Sequence, residues 1–475
     1  MRLLPLPLGR SFNALWFGTG ASNLGDGMAL FVLPLLALAT GASPGGVAAV
    51  TAALTLAWPV FGIHAGWIVD RVDRRLLLAG VNAVRALTLA GLTAGLLTGT
   101  LSLPLLLVAA VLIGVAETLV DTALTSTIPL VVEPVGRNRA NARVEATINV
   151  TNQLAGPPLA GLLAGITLAV ATGASAALYV LAVAGVAFLS LNRAPAGPGR
   201  TDGIVQLHTC ETGDVVQLHT RETGDVVQHR GHETGGVVQF ATPARPEGNG
   251  GTVQRPAPAR PRENGGVVAG LRYLWRQPVV RTLTLITAAM NIPWAVSTAL
   301  LVVHAVSPGP LGLTTAQYGL VLTAMAVGGL IASAVVEPLR RRFGVTTLLI
   351  ADAAGTVLLV APVALGGPVW TVVAGAVVAG AGSSIWRVLV ATIRQNLSPP
   401  ELLGRVYSAS RVISWGVIPF SAALAGLGAE LWGVRTVFVI ATVLAAIILA
   451  AFVPYALRTD LSAAVAPEED RRPVA

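Results

Sequence analysis

The chain has 475 residues, of which 54% are hydrophobic and only 11% charged, with a mean hydropathy of +0.72. A water-soluble domain carries about a quarter charged residues, so water is not this chain's main solvent. The net charge of +8 comes from 31 basic residues, all arginine, gathered in alternate loops between apolar stretches. That placement speaks for a membrane and against a nucleic-acid partner.

An apolar stretch of about 20 residues crosses the hydrocarbon core, and twelve are expected. Residues 1–11 form a short N-terminus. A first six-helix half occupies 12–191, with spans near 12–39, 46–69, 76–98, 103–131, 145–170 and 174–191. Phe12 to Ala39 is too long for a signal-peptide core and is expected to be retained. Asp26 lies in it about 14 residues from the start, about 21 Å at 1.5 Å per residue. In span 4, Glu117 and Asp121 stand one helical turn apart on one face. Ionisable groups at such depth are costly and are functional candidates by default. Two carboxylates so placed repel, and burial disfavours both charges at once, which suits a proton carrier. Arg85 in span 3 and Asp352 in span 9 are expected nearer the cytoplasmic face, where snorkelling or structural pairing accounts for them, and His64 is expected to be a packing residue. Gly62 and Gly66, Gly91 and Gly95, and Gly161 and Gly165 have the spacing that permits close helix approach.

A polar connector follows at 192–266. It holds an 11-residue unit with Val205, Val216, Val227 and Val238 in register, then the Pro- and Arg-rich run Pro243 to Arg262. Glu-Thr-Gly breaks each unit, so a disordered expanded repeat is expected rather than a coiled coil. His208, His219, His229 and His232 make metal binding there the minor alternative. The only cysteine, Cys210, also lies here, which leaves no intramolecular disulfide and no cysteine metal cage. No cofactor and no metal site are expected. Residues 267–280 carry Leu271, Leu274 and Trp275 on one face and Arg272 and Arg276 on the other, the pattern of an interfacial amphipathic helix.

The second six-helix half is 281–457, with spans near 281–303, 316–336, 346–366, 369–393, 407–428 and 435–457, and 458–475 form a tail. The fold class expected is an all-α membrane protein of twelve helices in two halves. An offset of 266 carries Arg74 and Arg75 onto Arg340 and Arg341, Gly114 onto Gly380, Pro134 onto Pro400 and Arg139 onto Arg405. Parallel repeats of six spans are a transporter architecture with the substrate path between them. The same offset sets Asp121 against Arg387, opposite charges at matching depth. Thr40 to Gly46, Thr98 to Ser102, Ala171 to Gly173 and Gly366 to Pro368 hold no charge, whereas the opposite loops hold arginine. The positive-inside rule then places both termini and the connector in the cytoplasm of a multi-pass inner-membrane protein. Trp67, Trp275, Trp370 and Trp432 lie near span ends as interface anchors. Trp58, Trp294, Trp386 and Trp415 lie deeper, as possible substrate contacts or as core.

After span 2 the chain reads Gly66-Trp-Ile-Val-Asp70-Arg71-Val-Asp73-Arg74-Arg75, echoed by Glu337-Pro-Leu-Arg340-Arg341-Arg342 after span 8. This resembles the signature loop of the major facilitator superfamily. Leu24-Gly25-Asp26, Arg139-Ala-Asn141-Ala, Gly156-Pro157-Pro158-Leu-Ala-Gly161, Gly270-Leu-Arg-Tyr-Leu and Gly404-Arg405-Val make the closer likeness to its drug:proton antiporter-3 branch, the macrolide-efflux and enterobactin-exporter-like proteins. The resemblance implies a gating cluster of Asp70, Arg71, Arg74 and Arg75 with Arg340 and Arg341, holding the cytoplasmic ends of the halves together in one state. Asp73 stands where the general motif has glycine. Ala110 stands where sister branches have an arginine four residues before the span 4 glycine, here Gly114, so a coupling mechanism built on that arginine does not transfer.

The reading is a secondary-active exporter of small apolar or amphipathic compounds in exchange for protons, with Asp26, Glu117, Asp121 and Arg387 as the coupling set. Its expected partners are a small-molecule substrate, protons and the lipid bilayer, and a monomer is expected. Export direction comes from the resemblance, and an uptake transporter or facilitator of the same fold is the alternative. A membrane enzyme is disfavoured, since the only G-x-S-x-G match, Gly41-Ala-Ser43-Pro-Gly45, is a loop between spans. A chain without lysine cannot form a P-loop.

Overall fold

The computed structural model describes residues 8–133, 136–188, 207–208, 216–219, 226–229, 266–399 and 402–465. Cys210, His232, Pro134, Pro400 and the run 243–262 lie outside the described residues. The first half comprises α1 (Arg10–Ala39), α2 (Pro44–Arg71), α3 (Arg74–Leu97), α4 (Leu103–Val131), α5 (Arg137–Ile148), a π-helical segment Asn149–Ala155, α6 (Gly156–Ile166) and α7 (Leu168–Ala187). The second comprises α8 (Gly266–Arg276), α9 (Pro278–Ala305), α10 (Thr315–Ala364), α11 (Val369–Leu397), α12 (Leu403–Trp432) and α13 (Val434–Arg458). Ten of these helices are long and apolar enough to cross a membrane. One of them, α10, has 50 residues and breaks at Gly344, whose φ of 77° is left-handed, so it supplies two spans. Joined through its π-helical turn, the stretch 137–166 supplies another, and the fold is the twelve-helix, two-half architecture.

Two boundaries differ from the expected ones. The loop expected at 171–173 is helical, and the chain turns instead at Thr167, whose hydroxyl accepts from the Val170 N–H at 3.1 Å. A threonine cap outweighs the glycine because an apolar run offers no other stop signal. In the arginine-rich loop after α2, Asp73 caps α3 by accepting from the Arg75 and Leu76 N–H groups at 2.9 and 3.2 Å. The repeat-related position is Leu339, which cannot cap, and α10 runs on to Gly344.

The repeat extends to packing. A Cβ on Gly114 would fall on the Leu54 carbonyl of α2, and one on Gly380 would fall on the Met325 carbonyl in the first span of α10. Spans 2 and 4 thus cross as spans 8 and 10 do. By contrast Gly62, Gly66 and Gly91 meet nothing within 4 Å and Gly165 meets one atom at 3.9 Å, so the spacing misleads at these positions. Only Gly161 sits in a tight crossing, against Thr315 and Gly319. The tightest crossing in the first half is elsewhere: Gly27 of α1 faces the Asn152 carbonyl, and Gly156 lies 2.8 Å from the Gly27 backbone by the same measure. Gly27→Ala is therefore expected to lower stability by about 1–3 kcal/mol through overpacking. Gly62→Ala should be neutral or gain up to about 1 kcal/mol of helix propensity. Thermal melts of the two variants in detergent compare them directly, and equal melts would refute the crossing as a constraint.

Between the halves, contacts gather on the charge-poor side. Ser43 donates to Glu430, Thr315 donates to the Gly161 carbonyl at 3.3 Å, Phe31 stacks on Tyr318 at 5.3 Å, and Gly426 packs on Gly45 and Ala48. On the arginine-rich side each ion pair among the described residues stays within one half. The α10 helix packs on α6 and the π-helical segment, and not extensively on α5. A cavity of about 570 Å³ lies there between α4 and α5, lined by Leu124, Ile128, Asn141, Val144 and Glu145 among others. Helix α8 docks through Leu274, fully buried against Val280, Val406 and Ala409, while Leu271 and Trp275 stay exposed as an interfacial helix requires.

The connector forms a separate unit, 193–263. Expected to lack regular structure, it carries three short strands in its described residues: β1 (Leu207–His208), β2 (Val216–His219) and β3 (Val226–His229), antiparallel in that order. Gln217 pairs with Gln228, its own counterpart one repeat on. The β-branched valines of each unit favour a strand, and the intervening Thr-Gly favours a turn.

Candidate functional site

Helix α1 is the most enclosed span, and this buries Asp26 at 5% exposure. Its partner is Arg85 of α3, fully buried, with Nη1 3.1 Å from Oδ1 and 3.3 Å from Oδ2. Tyr179 of α7 donates its hydroxyl to Asp26 Oδ1 at 2.7 Å. Arg85 Nη1 also donates to Ser22 Oγ at 3.0 Å, and Ser22 donates to Asn82 Oδ1 at 2.9 Å. Gly25 makes this reach possible: a Cβ there would stand 3.1 Å from the Tyr179 ring. Ser175 seals the same turn by donating to the Gly25 carbonyl at 2.9 Å. Arg85 is thus the counter-ion of Asp26, a pairing across two spans that neither snorkelling nor loop charge reveals.

Glu117 and Asp121 continue this charged region along α4, where Asp26 and Arg85 act on both electrostatically. Among the described residues neither carboxylate makes a hydrogen bond or an ion pair. Glu117 is half-buried, but Asp121 is exposed. The charges acting on it are those of Asp26 of α1, Arg85 of α3, Arg411 of α12 and Glu145 of α5, so groups of both halves reach it electrostatically. Arg387, set against Asp121 by the repeat, is not joined to it. It is exposed and donates to Ser384 Oγ at 3.4 Å. The basic residue acting on Asp121 from the second half is Arg411, which the repeat offset does not select.

Arg411 lies over two of the deep tryptophans. Its guanidinium carbon is 4.2 Å from the Trp58 ring centroid and 5.4 Å from that of Trp415, and the two rings are 6.5 Å apart. Trp58 and Trp415 therefore face each other across the halves. Trp386 does not join them: it is buried in the second half, donates to Thr287 Oγ1 at 2.9 Å and meets Phe452 edge-on at 5.6 Å. Trp294 is half-buried and packs on the main core. His64, expected to pack, is exposed beside Phe61. Asp352 neither pairs nor snorkels; it is 2% exposed, lodged against Gly382, and its Oδ1 has no hydrogen-bond partner.

The loop residues stay within their own halves. Arg71 lies 4.1 Å over the Trp67 ring, Arg74 donates to Ser126 Oγ at 3.4 Å, and Arg75 donates to the Ala187 carbonyl. Asp70 is exposed and has no hydrogen bond or ion pair among the described residues. Arg340 and Arg341 bind Glu337 at 2.7 to 2.9 Å, and these hydrogen bonds, Arg340's first, hold its carboxyl down to about 2. That cluster stays ionised over the physiological range.

Comparison with known proteins agrees with this architecture. The family model described as the Major Facilitator Superfamily matches residues 15–309 and 292–474. Among solved structures, the nucleoside transporter NupG superposes with a TM-score of 0.65 at 12% identity, covering 94% of this chain and 98% of that one. A bacterial homologue of the human lysosomal transporter Spinster, in an inward-facing and unoccupied conformation, gives 0.60 at 15% identity, covering 96% and 98%. A bacterial homologue of the iron transporter ferroportin, in an inward-facing state, gives 0.59 at 15% identity, covering 94% and 98%. At these identities the likeness concerns the fold alone. Comparison with curated proteins gave no match.

Proposed function

The chain belongs to the Major Facilitator Superfamily, and on that premise we propose that it is a secondary-active exporter of small amphipathic compounds, driven by protons through alternating access. The observation that carries this reading is the division of labour among three carboxylates at membrane depth. Asp26 is locked to Arg85 and Tyr179, whereas Glu117 and Asp121 make no hydrogen bond among the described residues, and Asp121 is within electrostatic reach of Arg411 in the second half. An exchanger needs a site where proton and cargo exclude each other, and such carboxylates supply one. Export is read from the likeness to the drug:proton antiporter-3 branch. The test is accumulation of macrolides, dyes and siderophores in everted vesicles with and without an imposed proton gradient. Accumulation only in right-side-out vesicles would make the protein an importer.

The arginine-rich loops are assigned to the cytoplasm. The charge-poor side, where the halves meet, is then external, and the arginine-rich side is internal. Asp70 and the arginines near it, apart from the other half here, would close that side in the opposite state. Ion pairs at a wet, moving interface are worth about 1 kcal/mol each, a scale that permits such making and breaking. Cysteines introduced at Ser43 and Ser102 are expected to react with an impermeant maleimide in intact cells, and Cys210 is not. External labelling of Cys210 in sealed cells would reverse the orientation.

A further inference from the structure

Arg411 is held in an unusual way for a charged residue in a membrane protein. A structural arginine at such depth satisfies its five donors on a carboxylate or on carbonyls, as Arg85 does in part on Asp26. Arg411 makes no hydrogen bond or ion pair among the described residues; it rests on the faces of Trp58 and Trp415, half-buried, within electrostatic reach of Asp121. Ring faces attract a cation only weakly and offer its N–H groups nothing.

Two carboxylates nearby lack a partner. Asp26 is matched by Arg85, but Glu117 and Asp121 make no hydrogen bond or ion pair among the described residues, and Arg411 is the cation of the second half that acts on Asp121. Trp58 belongs to α2 and Trp415 to α12, so whatever lies over both rings, as Arg411 does, touches both halves at once.

We propose that Arg411 is a resident cation in an aromatic clamp, and that the cargo of this path is an organic cation that takes its place over Trp58 and Trp415. A quaternary or delocalised organic cation gains the same ring faces and the same carboxylate field as the guanidinium, without five N–H groups to strip of water. Released from the rings, Arg411 swings on its flexible stem away from the clamp. Because the clamp bridges the halves, its occupancy bears directly on how they move.

The assignment rests on the transport reading for its cargo, but binding and transport separate in the test. Tetraphenylphosphonium and tetraphenylborate have one shape and opposite charge. Equilibrium binding of each to the full chain in detergent is expected to favour the phosphonium by at least about tenfold. Arg411→Gln should tighten phosphonium binding by about threefold to tenfold, since the competitor is removed. Trp58→Ala and Trp415→Ala should weaken it by about tenfold, and Trp58→Phe, which keeps a ring face, should retain most of it. Preference for the borate that is lost in Arg411→Gln would make Arg411 an anion anchor and overturn the proposal, as would weaker phosphonium binding in Arg411→Gln. Phosphonium binding as expected with no flux of the probe in vesicles would instead overturn the transport reading and leave the clamp standing.

Discussion

Glu117→Gln combined with Asp121→Asn is expected to abolish proton-driven accumulation while leaving cargo-for-cargo exchange. A gradient of one pH unit is worth about 1.4 kcal/mol, so a one-for-one exchanger sustains at most about a tenfold concentration ratio. The double variant should fall from about that ratio to one. The reason is geometric. These two side chains are the carboxylates of α4, both without a partner among the described residues, and Asp121 is reached electrostatically by charges of both halves. Their amides stand in for the protonated state permanently, so the protein can still bind and carry cargo but has no proton to trade. Normal accumulation with a normal pH dependence in the double variant would remove both residues from the coupling mechanism.

Asp26→Asn is expected to act on stability rather than on coupling. Arg85 is fully buried and its carboxylate partner is Asp26, with two of its nitrogens, Nε and Nη2, finding no protein acceptor. Breaking a buried pair by removing one partner costs about 3–5 kcal/mol, because the other charge is left uncompensated. Tyr179→Phe, which removes a single hydrogen bond to the carboxylate, should cost about 1.5–3 kcal/mol. Replacing both charges, by Asp26→Leu with Arg85→Met, should recover much of the loss, since no buried charge then remains. Thermal melts of the purified variants order them. The protein that stays folded after Asp26→Asn should keep its pH dependence of transport, which separates an anchor from a proton carrier. A wild-type melt for Asp26→Asn would sink the anchoring role.

The two expectations divide a set of residues that looks uniform along the chain. Asp26, Glu117 and Asp121 are equally plain as intramembrane acids, and nothing in their spacing says which is matched. The opposite charges were also visible: Arg85 in span 3 and Arg411 inside span 11, one turn before Trp415. Asp26 and Arg85 lie about 24 and 17 Å from their helix starts at 1.5 Å per residue, a difference that an arginine side chain can span, which is a usable signal for pairing. Depth alone, however, favours Arg387 as the partner of Asp121 just as well, and there it misleads. Arg387 and Asp121 match in height but do not meet, and Arg387 turns instead to Ser384 on its own helix.

Composition and loop charge by themselves determined that this chain crosses a membrane twelve times, that its halves repeat at an offset of 266, and on which face its arginines gather. These are properties of length, hydropathy and position, which survive without knowing how any helix is rotated. Tertiary structure decided everything that depends on rotation. It pairs Asp26 with Arg85, leaves Glu117 and Asp121 open, brings Arg411 over Trp58 and Trp415, and picks Gly27 and Gly161 over Gly62 and Gly91 as crossing points. A soluble helix announces its inner face by an apolar stripe, but a span is apolar all round and carries no such mark. Its rotation is set by where small residues let backbones touch and by which buried charges find each other, and both are contacts between segments far apart in the chain.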